Sequence, residues 1–135
     1  MIYSLDTNVC IVYLNARYPT LLPRFQTISS SDIAVCSIVR AELFYGAAKS
    51  NDPAKTLARQ EAFLQPYASL PFDEKSAQIY GKERGRLEKA GISIGPLDLL
   101  IAAVALANNL ILVTNNTREF SRISGLQLEN WQNLP

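Results

Sequence analysis

The sequence predicts an α/β fold with a mostly parallel sheet. Short apolar and β-branched runs at residues 2–5, 32–36 and 110–114 alternate with longer segments of helical periodicity, and such alternation builds parallel sheets. The runs are apolar throughout rather than at every second residue, so helices should cover both faces. With 135 residues, 48% of them hydrophobic, the chain reads as one domain, 1–135, able to bury roughly two-thirds of its unfolded surface.

The elements follow in order. Residues 2–5 form a strand that ends at Asp6. Residues 8–15 read as a helix, and Tyr18-Pro19 opens another through residue 28. The serines at 29–31 make a loop before a second strand at 32–36. Ser37 is placed to cap the helix that runs to about Lys49. Asp52-Pro53 combine an N-cap acid with proline at the first helical position, and that helix ends near Gln65-Pro66. Residues 67–70 form a short strand. Asp73 caps a long helix through Ala90, closed by Gly91. Gly95-Pro96 starts a helix to about Asn108, and a strand at 110–114, a short helix at 117–121 and a last strand at 126–129 complete the chain. No internal repeat, low-complexity tract or linker interrupts it.

Composition excludes more than it selects. The formal net charge is +1 and there is no histidine. A strong basic excess, common in nucleic-acid binders, is absent, so any grip on phosphates must come from a local patch or from bound cations. Without histidine there is no histidine-based triad, zinc site or general acid–base pair. No Walker loop or Gly-x-Gly-x-x-Gly is present. An enzyme built here relies on carboxylates with a hard metal, or on a Ser, Thr, Lys or Cys nucleophile. Cys10 and Cys36 lie in apolar surroundings and read as two buried thiols. No basic stretch precedes an apolar one at the start, and the longest apolar run, residues 99–107, is far short of the ~20 residues of a membrane span. A cytoplasmic location with no membrane partner is expected.

Ligands of α/β sheets bind at the carboxyl ends of strands, which singles out four residues. Asp6 ends the first strand; alone it is also an ordinary Asx turn or helix cap. Glu42 shares a helix face with Ile38 and Tyr45, where a carboxylate is costly unless compensated, or else it reaches out to water. Asp98 is the third residue of an otherwise apolar helix, favourable to the helix dipole and equally able to face a cavity. Asn116 follows the strand at 110–114 and, with Glu119 three residues on, fits a capping box. Three carboxylates gathered at one sheet edge repel one another and bind protons more tightly unless a cation sits among them. Mg²⁺ or Mn²⁺ suits such an oxygen-only site.

Four segments together resemble PIN domains of the VapC type: Leu5-Asp6-Thr7-Asn8, residues 37–46 (Ser-x-x-x-x-Glu-Leu-x-x-Gly), residues 95–103 (Gly-Pro-x-Asp-x-x-Ile-Ala-Ala) and residues 113–120 (Val-Thr-Asn-Asn-x-Arg-Glu-Phe). The tail from Gly125-Leu126 to Glu129-Asn130-Trp131 is similar to that family as well. The resemblance implies an α/β/α sandwich, with Asp6, Glu42 and Asp98 as acidic ligands of Mg²⁺ or Mn²⁺. Asn116 stands where many PIN domains carry a fourth acid; it keeps an oxygen donor without the charge. Thr7, Asn8, Ser37 and Thr114 match family positions near the site and count as supporting polar groups.

The implied activity is a metal-dependent endoribonuclease toxin that cuts structured RNA, tRNA first among candidates, and so inhibits translation. Water activated by the metal attacks, leaving 5′-phosphate and 3′-hydroxyl ends rather than a cyclic phosphate. A VapB-type antitoxin and a homodimer are the partners the family relation implies. Phe25, Phe44, Tyr45 and Phe63 are candidates to line an antitoxin groove or to join the core. On the helix from Asp73, Lys75, Lys82, Arg86 and Lys89 lie near one face, as an RNA track or simply a solvated surface. Arg84, nearer the apolar face, and Arg118 are further candidates for RNA contact. Competing readings are a metal-dependent DNA nuclease, which the same acids would serve, and a non-catalytic RNA-binding protein. A phosphoacceptor switch is disfavoured, because Asp6 lacks an acidic neighbour and no Lys follows Thr114.

Overall fold

The computed structural model describes residues 1–15 and 19–132. Five strands form one sheet: β1 (Tyr3–Leu5), β2 (Ile33–Cys36), β3 (Ala68–Leu70), β4 (Ile111–Val113) and β5 (Leu128–Glu129). Their order is β3-β2-β1-β4-β5, and all four pairings are parallel. Seven helices are described: α1 (Thr7–Leu14), α2 (Leu21–Thr27), α3 (Ser37–Ala48), α4 (Pro53–Leu64), α5 (Glu74–Lys89), α6 (Pro96–Ala107) and α7 (Thr117–Phe120). All four residues of β2 are buried, as expected when helices cover both faces of a sheet. The predicted α/β class with a parallel sheet holds.

The chain starts at the sheet centre with β1, moves outward through β2 and β3, then returns to the other side of β1 with β4 and β5. The direction of winding reverses between β1 and β4, and the crevice beyond the carboxyl ends of two such strands is where ligands bind in open α/β sheets. Asp6 directly follows β1 and Thr114 directly follows β4.

Local signals set the helix boundaries. Asp52 accepts from the Lys55 amide at 3.2 Å, with Pro53 opening α4. Asp73 accepts from the Ser76 amide at 2.9 Å and the Ser76 hydroxyl at 2.7 Å. Gly91, at φ 71°, supplies the left-handed residue that ends α5. Three expectations shift. Tyr18, expected to open the second helix, lies outside the described residues, and α2 begins at Leu21. The serine loop is a 3₁₀ turn over Ser30–Asp32. Ser37 is the first residue of α3 rather than its cap; Cys36 holds the cap position without a side-chain hydrogen bond.

The core joins Leu5, Val35, Val39, Leu43, Ile101, Val104, Leu112 and Phe120 across sheet and helices. Helix α6 is its axis, with seven of its twelve residues buried. Cys10 and Cys36 are free and buried, as expected. Around Trp131, a member of this core, Tyr13, Phe25, Phe63 and Tyr67 pack as a set of aromatic rings, so Phe25 and Phe63 belong to packing, whereas Phe44 and Tyr45 are exposed. Among the described residues no helix is long and apolar enough to cross a membrane.

Candidate active site

A cleft of about 600 Å³ opens at the carboxyl end of the sheet. It is lined by Asp6, Thr7 and Asn8 from the β1–α1 junction, Glu42 and its neighbours on α3, and Leu97 and Asp98 from the start of α6. Three candidate acids, the first and last more than ninety residues apart in sequence, thus share one space. Each arrives by a local rule. Asp6 caps α1, accepting from the Thr7 amide at 2.8 Å. Glu42 follows Ile38 by one turn on the exposed side of α3 and lines the cleft with Tyr45. Asp98 stands in the first turn of α6, after Pro96 at its start.

Hydrogen bonds fix two of these carboxylates. The Thr114 hydroxyl donates to Asp6 Oδ2 at 2.8 Å, across the reversal between β1 and β4. The Thr7 hydroxyl donates to Glu42 Oε1 at 2.6 Å. Thr7 therefore ties α1 to α3, and Thr114 ties β4 to β1. Asn8 is exposed in the lining, whereas Ser37 is half-buried and is not among the lining residues.

Asn116 takes the N-cap position of α7 without capping it. Its amide nitrogen donates to Glu119 Oε2 at 2.9 Å, and its backbone N–H donates to Thr114 Oγ1 at 3.0 Å. Glu119 Oε1 accepts from the Gly95 amide at 2.9 Å. A side chain at Gly95 would put its Cβ 3.4 Å from Asp98 Oδ2 and 3.9 Å from Glu119 Oε1. Glycine here lets two carboxylates approach the start of α6. Glu119 is the residue that sequence reasoning missed as a member of the site. The capping-box spacing flagged it, but only the fold of α7 back onto Gly95 gives it this role.

The electrostatics follow from burial and crowding. Burial pushes the Asp6 carboxyl up against its hydrogen bonds from Thr114 and Thr7, and the Glu42 and Glu119 carboxylates add to the rise. Asp98 is pushed up to about 6 by burial first, then by Asp6, Glu119 and Glu42. Glu119 is held below its usual value by hydrogen bonds from Gly95 and Asn116. The basic side chain in the cleft lining is Lys49, and its ammonium sits 4.7 Å from the centre of the Tyr45 ring.

The donors suit a hard cation: they are oxygens only, and their mutual repulsion is what a divalent charge would relieve. Among the described residues no three acidic or thiol groups close together as ligands of one ion. Asp6 and Glu42 are each drawn to threonine hydroxyls, and like charges stay apart. The arrangement fits the Mg²⁺ mode, in which one or two carboxylates hold an ion that keeps several waters.

The arginine candidates lie elsewhere. Arg84 is exposed but stays beside the apolar face as expected, lining a separate pocket with Tyr80 and Leu87, and donates to Glu88 Oε1 at 3.0 Å and to the Tyr80 hydroxyl at 2.7 Å. Arg86 donates to Glu83 Oε2 and to the Arg122 carbonyl, both at 2.7 Å. Arg118 is exposed on α7, the helix that carries Glu119. None of the three lines the cleft.

Comparison with known proteins agrees with this architecture. A family model described as PIN domain matches residues 3–126. A curated relative from Rickettsia felis named Ribonuclease VapC2 is 42% identical over 132 residues, covering 97% of this chain and 98% of its own length. One from Shigella flexneri named tRNA(fMet)-specific endonuclease VapC is 38% identical over 129 residues, covering 96% and 97%. Among solved structures, the Rickettsia felis VapBC2 complex bound to a promoter DNA fragment aligns with TM-score 0.90 at 41% identity, covering 97% of this chain and 99% of that one. The DNA-bound VapBC of Salmonella typhimurium aligns at 0.92 and 37%, covering 97% and 98%. With the matched model, the near full-length relatives and a parallel sheet that gathers its acids at the carboxyl end, the chain belongs to the PIN-domain family, among the VapC ribonucleases.

Proposed function

We propose that this chain is a divalent-metal-dependent endoribonuclease that cleaves structured RNA, a tRNA first, and is held in check by a VapB-type antitoxin. The observation that carries the reading is the cleft itself: Asp6, Glu42 and Asp98 together in its lining, beside a single basic residue whose charge rests on a tyrosine ring. Uncompensated carboxylates in a cleft mark a functional site better than a structural one.

Asp6 and Asp98, which share the cleft lining, would hold Mg²⁺ or Mn²⁺, with Glu42 from the same lining. A bound divalent ion would acidify water and offset negative charge on the reacting phosphate. Thr114 and Thr7 keep Asp6 and Glu42 oriented, so the carboxylates need little rearrangement when substrate arrives. Asn116 and Glu119 hold the start of α6, and with it Asp98, against the end of β4. The products of hydrolysis are a 5′-phosphate and a 3′-hydroxyl, because water rather than the ribose 2′-hydroxyl supplies the attacking oxygen.

The Shigella flexneri relative's name, tRNA(fMet)-specific endonuclease, supports initiator tRNA as the first substrate to test. The VapBC complexes among the structural relatives support an antitoxin partner, and the family relation supports a homodimer. The test is expression of the native chain and Asp98→Asn in growing cells, followed by mapping of RNA ends. The native chain should arrest growth and leave tRNA cut with 5′-phosphate ends; Asp98→Asn should do neither. Cyclic-phosphate ends, preferential cutting of DNA, or cleavage undiminished by excess EDTA would overturn the reading.

A further inference from the structure

Helix α3 presents one continuous stripe to the cleft: Ile38, Glu42, Tyr45, Gly46 and Lys49, spaced at the helical repeat. Glu42 stands at the acidic end. One turn on, Tyr45 is 66% exposed, unusual for a large ring at the wall of a concave site and unexplained by core packing. One further turn on, Lys49 places its ammonium over that ring. At Gly46 an added Cβ would meet nothing within 4 Å, so the wall beside the ring is open. The acids therefore grade, over two helical turns, into an aromatic face and then a cation.

We propose that Tyr45 and Lys49 form a nucleotide platform, on which an unpaired base next to the scissile phosphate stacks on the Tyr45 ring while Lys49 meets the following phosphate. The inference rests on the endoribonuclease reading and adds a requirement to it, that the substrate be single-stranded at the cut. A π-face accepts any base, so the platform selects strand state rather than sequence. An exposed cation–π contact is weak enough to open when a phosphate competes for the ammonium. The acidic end repels the RNA backbone in the absence of a cation, whereas the Lys49 end attracts it, so a phosphate is drawn to the Lys49 end of the stripe.

The experiment uses Asp98→Asn protein, to prevent cutting, and a short single-stranded RNA carrying one 2-aminopurine, whose fluorescence falls when it stacks. Protein with Tyr45 intact should quench the probe. Adding Tyr45→Ala should weaken binding by about tenfold or more and abolish the quenching, whereas Tyr45→Phe should keep both. Lys49→Ala should keep the quenching and make the slope of log affinity against log salt shallower by about 0.7, the contribution of one phosphate on a single strand. In the Asp98 protein, Tyr45→Ala should raise KM for RNA more than it lowers kcat. If the Asp98 protein cleaves RNA with Mg²⁺ but Tyr45→Ala leaves KM, affinity and quenching unchanged, the platform is overturned and the nuclease reading stands. The same holds if Tyr45→Ala spares RNA binding and weakens capture of a protein partner instead. If the Asp98 protein neither cleaves nor binds RNA, both fall together.

Discussion

Two buried carboxylates show how differently one molecule treats the same chemistry. Glu83, on α5, is 7% exposed, and Asp6, after β1, is 3% exposed. Glu83 is answered by a cation and a backbone donor, Arg86 at 2.7 Å and the Ser124 amide at 3.2 Å. Burial raises it, but those two partners outweigh burial and leave it below its usual value. Asp6 is answered by a hydroxyl and an amide, and its charged neighbours are the acids Glu42 and Glu119. Its carboxyl rises. The first arrangement is closed and ties α5 to the loop at Ser124. The second has no cation among the causes that set its carboxyl, and a bound divalent ion of the kind proposed above would supply one.

The sharpest way to break this contrast is to neutralise each carboxylate and measure RNA cleavage. Asp98→Asn or Asp6→Asn should lower activity by at least about a hundredfold, whereas Glu83→Gln should retain it in protein that remains folded. The next effect is thermal. Mg²⁺ at about a hundred times its Kd should add about 2.7 kcal/mol to the native chain, a Tm rise of several degrees. Glu83→Ala should keep that rise and Asp98→Asn should lose most of it; equal rises in all three would place the ion elsewhere. Without metal, Glu83→Ala should cost about 1–2 kcal/mol by denaturant unfolding, since it strands the Ser124 amide and the Arg86 guanidinium.

The smallest effect is the dependence of stability on pH. The Asp98 carboxyl is raised from 3.8 to about 6 in the fold, so the folded state holds its proton more tightly than the unfolded chain does. Its contribution to stability is therefore full below 3.8 and is lost as pH rises through about 6. Metal-free protein should show a falling Tm over that window, and Asp98→Asn should flatten the fall. A Tm that rises across it with Asp98 and is unaffected by the substitution would show that the crowding is relieved within the protein.

Much of this was legible in the sequence because local chemistry decides it. Asp52-Pro53 and Asp73 with Ser76 announce helix starts, and Gly91 a helix end, whatever the rest of the chain does. The apolar strands and the wholly apolar α6 imply a covered parallel sheet. Asp6, Glu42 and Asp98 stood out because each sits where an α/β sheet turns polar. What the sequence hid are relations between distant segments. Glu119 looks like half of a capping box until α7 is folded against Gly95. Arg86 looks like one cation on a basic face until Glu83 and the Arg122 carbonyl take up its donors. Tyr45 and Phe44, adjacent in sequence with Phe25 and Phe63 as possible company, separate from them only when the aromatic cluster around Trp131 forms.

That cluster has a practical corollary. Trp131 is the chain's one tryptophan, 1% exposed, packed edge-on against Tyr3 and Phe25, with its indole N–H donating to Glu129 at 3.0 Å. It lies outside the lining of the acidic cleft. The molecule therefore carries an intrinsic fluorophore that should shift to longer wavelength when the segment at Trp131 peels from β1 and α2, and stay unchanged when the protein is titrated with Mg²⁺ or RNA at the proposed site.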